Sequence, residues 1–224
     1  MAADLVIFDC DGVLVDSEML ASRLMATRLT REGYPITAQQ CRDRYTGISL
    51  ASLKTAVEKD WGKKLPEDFE ETVRAHDLGV FARELEAVPG VADALRKIDI
   101  PVCVASSGVP EKIENSLQTT GLMEFFEPHL FSTSLVAKGK PAPDIFLYAA
   151  RQMGVDPARC VVVEDAEAGI RGGLDAGMQV FGFAGGGHCG PGYMQMLHKA
   201  GAGLVFENMA RLPELLGIQT PSSG

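Results

Sequence analysis

The stretch that decides the fold of this chain reads LVIFDCDGVLVD and runs from residue 5 to residue 16. It opens with a continuous apolar run, Leu5–Phe8, which is typical of a strand buried on both faces of a parallel sheet. Asp9 and Asp11 follow at once, and burying two like charges is costly unless a cation or hydrogen-bond donors neutralise them. Carboxylate oxygens suit Mg2+. The stretch therefore predicts a metal site at a strand end, with an exposed acidic turn as the alternative.

Three later segments have the same continuous apolar character, and they are Val102–Ala105, Cys160–Val163 and Gln179–Phe183. Helical segments alternate with these runs, as expected for right-handed crossovers between parallel strands. The predicted helices are Pro110–Thr119, Asp144–Met153 and Ala166–Ala176. The sequence therefore predicts an α/β fold built on a doubly wound, Rossmann-like parallel sheet.

The segment between the first two predicted strands carries helical patterns instead. Apolar residues recur there at helical spacing, in groups that begin at Leu20, Leu50 and Phe69. Pro89 and Gly90 punctuate the end of the segment. We therefore predict an α/β core made of residues 1–16 and 87–224, with an all-helical cap made of residues 17–86. We expect such a cap to lie over the carboxyl ends of the strands, where open α/β sheets bind ligands.

Composition narrows the classes of partner. Hydrophobic residues make up 46% of the chain and the formal net charge is -9, which argues against nucleic acid, because phosphate backbones attract clustered basic residues. No apolar stretch approaches the ~20 residues of a membrane span, and no signal peptide is recognisable. We expect a cytoplasmic protein without membrane or nucleic-acid partners, either a monomer or a small homo-oligomer. The scattered cysteines predict reduced thiols and no zinc site.

Three further polar clusters follow predicted strands or precede predicted helices. Ser106-Ser107-Gly108 precedes the helix at Pro110, where hydroxyls and free backbone N–H groups could bind an anion. Lys140 lies in a loop bracketed by prolines, and Glu164-Asp165 directly follows a strand. Each cluster alone could also be an ordinary turn or helix start without a functional role. Together with Asp9 and Asp11, however, they should meet at the carboxyl edge of one sheet.

This order of motifs resembles the haloacid dehalogenase-like (HAD) superfamily of phosphohydrolases, specifically the members with a helical cap between the first and second motifs. The resemblance covers nearly the whole chain and extends to phosphoglycolate phosphatases, β-phosphoglucomutases and bacterial sugar-phosphate phosphatases. It implies a Mg2+-dependent phosphatase that forms an aspartyl phosphate on Asp9. Asp11 matches the family's general acid/base, which would protonate the leaving alcohol and then activate water.

The resemblance also implies roles for the later motifs. Ser106 matches the phosphate-binding hydroxyl, with Ser107 and Gly108 beside it, and Lys140 matches the motif lysine. The implied metal ligands are Asp9, the main-chain carbonyl of Asp11, Asp165 and, through the metal's water shell, Glu164.

Rival functions fit less well. A dehalogenase would attack carbon and would need neither Asp11 nor Mg2+. A phosphosugar mutase of the β-phosphoglucomutase type is closer, but such mutases carry a histidine where this chain has Glu18 and its neighbours, and an arginine in the cap loop that here reads Thr46–Leu50. A receiver-type signalling domain would lack the cap insertion.

Substrate choice is expected to lie in the cap. The resemblance favours a small phosphorylated metabolite, such as 6-phosphogluconate or a hexose 6-phosphate. Arg44, Lys54 and Gly47 are the cap residues that we nominate for substrate binding. The glycine-rich loop of residues 185–191 contains His188 and Cys189, and it is interpreted as a flexible rim of the cleft and not as a zinc site.

Overall fold

The computed structural model describes residues 3–45 and 50–218. These residues form two compact units, one that runs to Asp16 and resumes at Glu86, and another that comprises Ser17–Leu85. The first unit contains the sheet, and the described part of the second is helical. None of the helices in the described ranges combines the length and the apolar character that a membrane crossing requires.

A six-stranded parallel sheet forms the centre of the first unit. Its strands are β1 (Leu5–Phe8), β2 (Val102–Ser106), β3 (Leu130–Ser132), β4 (Cys160–Glu164), β5 (Gln179–Phe183) and β6 (Leu204–Phe206). Their order across the sheet is β3-β2-β1-β4-β5-β6, and all neighbouring pairs are parallel. The predicted fold class is confirmed.

The predicted strands are all present, but the sequence does not predict β3 and β6. Each of these strands has 3 residues, which is too short for a recognisable apolar run. Both also lie at the edges of the sheet.

The strand order reverses at β1, which lies between β2 and β4. Phe8 is in register with Val104 of β2 and with Val163 of β4. The residues that follow these strands therefore emerge at the same level of one sheet edge. In open α/β sheets, the crevice at such a reversal is where ligands bind.

The second unit, here called the helical unit, has a core of its own that includes the buried side chains of Leu29, Val57 and Phe69. Its helices are α1 (Ser17–Arg31), α2 (Ala38–Tyr45), α3 (Leu50–Trp61) and α4 (Phe69–Glu84). The sequence does not predict α2, because this helix is mostly polar and buries only Cys41 and Tyr45.

Further helices pack around the sheet of the first unit. They are α5 (Val91–Leu95), α6 (Pro110–Thr119), α7 (Met123–Phe126), α8 (Asp144–Met153), α9 (Glu167–Asp175), α10 (Tyr193–Ala200) and α11 (Leu212–Leu215). The three helices predicted in this part of the chain are confirmed to within one residue. Gly173 lets α9 approach the sheet closely, since a Cβ there would lie 2.7 Å from Val180 Cγ2.

Candidate active site

The end of β1 and the turn after it position the first two carboxylates. The backbone N–H of Asp9 donates to the carbonyl of Val163 at 3.0 Å, so Asp9 continues the pairing of β1 with β4 and is buried. Gly12 has φ +80°, a left-handed conformation that favours glycine, and its N–H donates to the carbonyl of Val15 at 2.8 Å. A fixed backbone turn therefore holds Asp11 beside the strand end.

Lys140 is buried at this edge and joins two acids. Its Nζ donates to Asp9 Oδ1 at 2.5 Å and to Glu164 Oε1 at 2.6 Å. Burial alone would lower the pKa of Lys140, but the charges of Asp9 and Glu164 raise it on balance. Lys140 therefore stays cationic at neutral pH.

The end of β4 supplies two more buried acids. Glu164 accepts hydrogen bonds on both oxygens, from Lys140 on Oε1 and from the Ala166 N–H on Oε2 at 2.9 Å. Glycine at position 169 makes room for this carboxylate, because a Cβ there would overlap Glu164 Oε1. Asp165, the next residue, is also buried. Carboxylate oxygens of Asp9, Glu164 and Asp165 lie within 4.8 Å of one another.

These three acids fit a divalent cation, to judge from their chemistry and burial. Burial raises the pKa of Asp9 to about 7, an effect that Lys140 offsets only in part. Burial likewise raises the pKa of Glu164 and of Asp165. A buried all-oxygen set with more negative than positive charge is what Mg2+ and similar hard cations require. Since both Glu164 oxygens already accept hydrogen bonds, Asp9 and Asp165 are the better placed ligands.

The hydroxyl turn after β2 differs from the expectation in one respect. Ser106 is buried at the strand end, but its Oγ accepts a hydrogen bond from the Gly108 N–H at 3.0 Å. The prediction of a free N–H at this position is therefore wrong for Gly108, because the serine hydroxyl folds back onto its own turn, as short hydroxyl side chains often do. Ser132 Oγ donates to the Gly108 carbonyl at 2.7 Å and fixes the turn. Ser107 is exposed.

Lys112 is a charged contact that sequence reasoning missed. It lies in the first turn of α6, and its Nζ donates to Asp11 Oδ2 at 2.7 Å. Its side chain is 45% exposed, whereas that of Lys140 is 6% exposed. Its position shortly after the hydroxyl turn, on a helix that starts at the same sheet edge, is the signal that could have identified it.

His188 is the second missed residue, and it corrects the interpretation of its loop as a flexible rim. The histidine is buried, and its Nε2 lies 2.9 Å from Asp165 Oδ2. Burial lowers the pKa of His188, but the hydrogen bond with Asp165 and further contacts raise it to about 10. The loop follows β5, the strand beside β4, and this adjacency brings a histidine to an acid at the end of β4.

The nominated residues of the helical unit have local partners. Arg44 donates to Tyr34 Oη at 3.4 Å and is exposed. Lys54 donates to the carbonyls of Pro66 at 3.1 Å and Glu67 at 3.5 Å. The predicted role of Gly47 lies outside the described residues.

Residues 3–177 match the family model of the haloacid dehalogenase-like hydrolases. The chain belongs to this family, whose members generally use a divalent metal. It is 34% identical to the 6-phosphogluconate phosphatase of Escherichia coli (strain K12) over 211 residues, which cover 94% of this chain and 93% of that protein.

Among the solved structures that are similar to this chain, two match it over nearly its full length. One is a conserved haloacid dehalogenase-like protein of unknown function from Agrobacterium tumefaciens, with a TM-score of 0.88 and 37% identity, covering 96% of this chain and 98% of that one. The other is a HAD family hydrolase from Deinococcus radiodurans R1 with bound phosphate and sodium, with a TM-score of 0.90 and 29% identity, covering 99% of both chains.

Proposed function

We propose that this chain is a Mg2+-dependent phosphatase that hydrolyses a small phosphorylated metabolite through an aspartyl phosphate on Asp9. The observation that carries the proposal is the buried cluster in which Lys140 bonds to both Asp9 and Glu164, at 2.5 and 2.6 Å, with Asp165 beside them. A carboxylate nucleophile needs no general base once it is ionised. Lys140 favours the ionised form of Asp9.

The side chains divide the reaction between them. Asp9 attacks the phosphorus atom, and Lys140 neutralises charge on Asp9 and on the transferring oxygens. Asp11 gives a proton to the leaving alcohol and then takes one from the water that hydrolyses the aspartyl phosphate. Ser106 and the turn after it are assigned to the phosphate. Lys112 holds the carboxylate of Asp11 in place at 2.7 Å.

The main obstacle to attack is the repulsion between the acids and a dianionic phosphate, about 4 kcal/mol per charge pair at 4 Å and an effective dielectric constant of 20. Asp9, Asp165 and the main-chain carbonyl of Asp11 would hold Mg2+, with Glu164 supporting its water shell. When bound, Mg2+ would supply positive charge against the oxygens of the phosphoryl group.

We assign the substrate class as sugar phosphates, with 6-phosphogluconate and hexose 6-phosphates as the first candidates. Support comes from the named relative, 6-phosphogluconate phosphatase, which matches 94% of this chain. The hexitol phosphatase A of Escherichia coli (strain K12), 32% identical over 78% of this chain, supports the same class.

The test is steady-state phosphate release from a panel of phosphorylated metabolites, with Mg2+ and with EDTA. We expect Mg2+-dependent turnover in the wild type and none above background in Asp9→Asn, which keeps the shape of the side chain but removes the nucleophile. Asp175→Asn, at an exposed position in α9, is the matched control and should keep full activity.

Activity that survives in Asp9→Asn would contradict the mechanism. Transfer of the phosphoryl group between positions of a sugar phosphate, without release of phosphate, would replace the phosphatase by a phosphomutase.

A further inference from the structure

A buried histidine outside the four family motifs contacts the acidic cluster. His188 comes from the loop after β5, with 6% of its surface exposed. Its Nε2 lies 2.9 Å from Asp165 Oδ2. Because an ionised carboxylate can only accept, Nε2 must carry the hydrogen and donate it to Asp165.

Neighbouring side chains fix the plane of the imidazole. The ring of Tyr193 meets it edge-on, with ring centroids 5.2 Å apart and an interplanar angle of 86°. Tyr193 Oη lies 3.1 Å and Cys189 Sγ 3.5 Å from the same nitrogen, Nε2. Nδ1 is buried and has no hydrogen-bond partner among the described residues. The contacts of the ring therefore converge on the nitrogen that faces Asp165.

The backbone around this pair has no room for additional side chains. A Cβ at Gly12 would overlap Asp165 Oδ2 and lie 2.9 Å from His188 Cε1. A Cβ at Gly186 would lie 2.7 Å from both Cε1 and Nδ1 of His188. Gly12 follows β1 and Gly186 belongs to the loop of residues 185–191. Both segments therefore leave space for the contact between His188 and Asp165.

We propose that His188 is a positioning residue for the metal site, which orients the carboxylate of Asp165 by donating from Nε2 to Oδ2. This hydrogen bond leaves the other carboxylate oxygen of Asp165 for the cation. The inference rests on the proposed function, since it assumes that Asp165 is a metal ligand. Outer-shell partners of metal ligands typically contribute about 10- to 100-fold in metal affinity.

The experiment measures Mg2+ affinity in the full-length protein, apart from turnover. The rise in Tm over a Mg2+ series gives a dissociation constant for each variant. We expect about 10- to 100-fold weaker binding for His188→Leu, which removes the donor. His188→Gln places an amide N–H near the position of Nε2 and should restore binding most of the way. His198→Leu, the same substitution at an exposed histidine in α10, is the matched control and should bind Mg2+ like the wild type.

The outcomes separate positioning from a role in folding alone. Unchanged Mg2+ affinity in His188→Leu would overturn the inference. Equal weakening in the leucine and glutamine variants would overturn it as well, because restoring the donor would then have no effect.

Should His188→Leu not fold, His188→Asn takes its place, since its shorter amide does not reach Asp165. It is expected to bind Mg2+ as weakly as predicted for the leucine variant, and wild-type affinity in it would overturn the inference.

The proposed function can fail separately. A wild type that binds Mg2+ but releases no phosphate would overturn the phosphatase, while the metal series would still decide the role of His188. A wild type that binds no Mg2+ would overturn both.

Discussion

The sheet edge of the first unit and the helical unit differ in the burial of their ion pairs. At the sheet edge, Lys140 is buried and bonds to Asp9 and Glu164. In the helical unit, Arg23 and Glu84 also pair closely, at 2.6 Å, but their side chains are 58% and 50% exposed. Water screens the exposed pair, so it contributes about 0–1 kcal/mol, whereas breaking a buried pair leaves an uncompensated charge. Ion pairs of similar length therefore differ in their contribution to stability, and the buried ones lie at the candidate active site.

The largest effect should come from Lys140→Met, which removes the buried cation of the sheet edge. Removing the lysine leaves Asp9 and Glu164 buried without their shared cation, and we expect the free energy of unfolding to fall by about 3–5 kcal/mol. Phosphate release should fall to background. Urea unfolding and phosphate assays measure the two losses.

Arg23→Met is the matched control for Lys140→Met. It removes one partner of an exposed ion pair, so stability should change by about 1 kcal/mol or less. Equal losses of stability in the two variants would show that burial does not distinguish the regions.

Gly169→Ala tests the same contrast between the two regions through steric packing, without a change of charge. Gly169→Ala places a Cβ against the Glu164 carboxylate, and overpacking of this kind typically costs about 1–3 kcal/mol. Since Glu164 also binds Lys140, we expect turnover to fall together with Tm. Thermal denaturation and steady-state kinetics on the same samples check both.

Gly79→Ala, in the middle of α4, is the control for Gly169→Ala. A Cβ there would lie 3.6 Å from Arg83 Nη1, an ordinary contact. Because alanine favours helix more than glycine by about 1 kcal/mol, this variant should be as stable as the wild type or more so. A loss of Tm in Gly79→Ala that matches Gly169→Ala would contradict the steric explanation.

Lys112→Met should have an intermediate effect, because Lys112 is half exposed yet bonds to Asp11. We expect kcat to fall about 10-fold, which corresponds to about 1.4 kcal/mol, with little change in the free energy of unfolding. This loss stays below the roughly 10²–10⁴-fold that a general acid/base contributes. Unchanged kcat would remove Lys112 from the mechanism.

The parts of the fold that could be predicted are those with local patterns. β1, β2, β4 and β5 have apolar runs long enough to recognise, whereas the 3-residue edge strands β3 and β6 do not. The positions of Asp9, Lys140 and Glu164 at one edge could be expected because parallel strands end together.

The two contacts that the sequence did not predict join side chains from segments that are far apart in the sequence. Lys112 meets Asp11 across 101 positions of sequence, and no spacing rule links them. His188 follows three glycines, a context that is typical of mobile loops. Because β5 lies beside β4, the loop that follows β5 starts next to Asp165, which follows β4.

The smallest effects are expected for Lys54 and Arg44, the two cations of the helical unit that we nominate for substrate binding. Lys54 already donates to two backbone carbonyls, so Lys54→Met should leave kcat/KM within about twofold, which corresponds to about 0.4 kcal/mol. Arg44 is exposed, and a guanidinium has five N–H donors to share. Arg44→Met should therefore raise KM for an anionic sugar phosphate by less than about 10-fold, or about 1.4 kcal/mol, at unchanged kcat. Steady-state kinetics with 6-phosphogluconate and glucose 6-phosphate compare the variants, and a larger KM effect in Lys54→Met than in Arg44→Met would reverse this assignment.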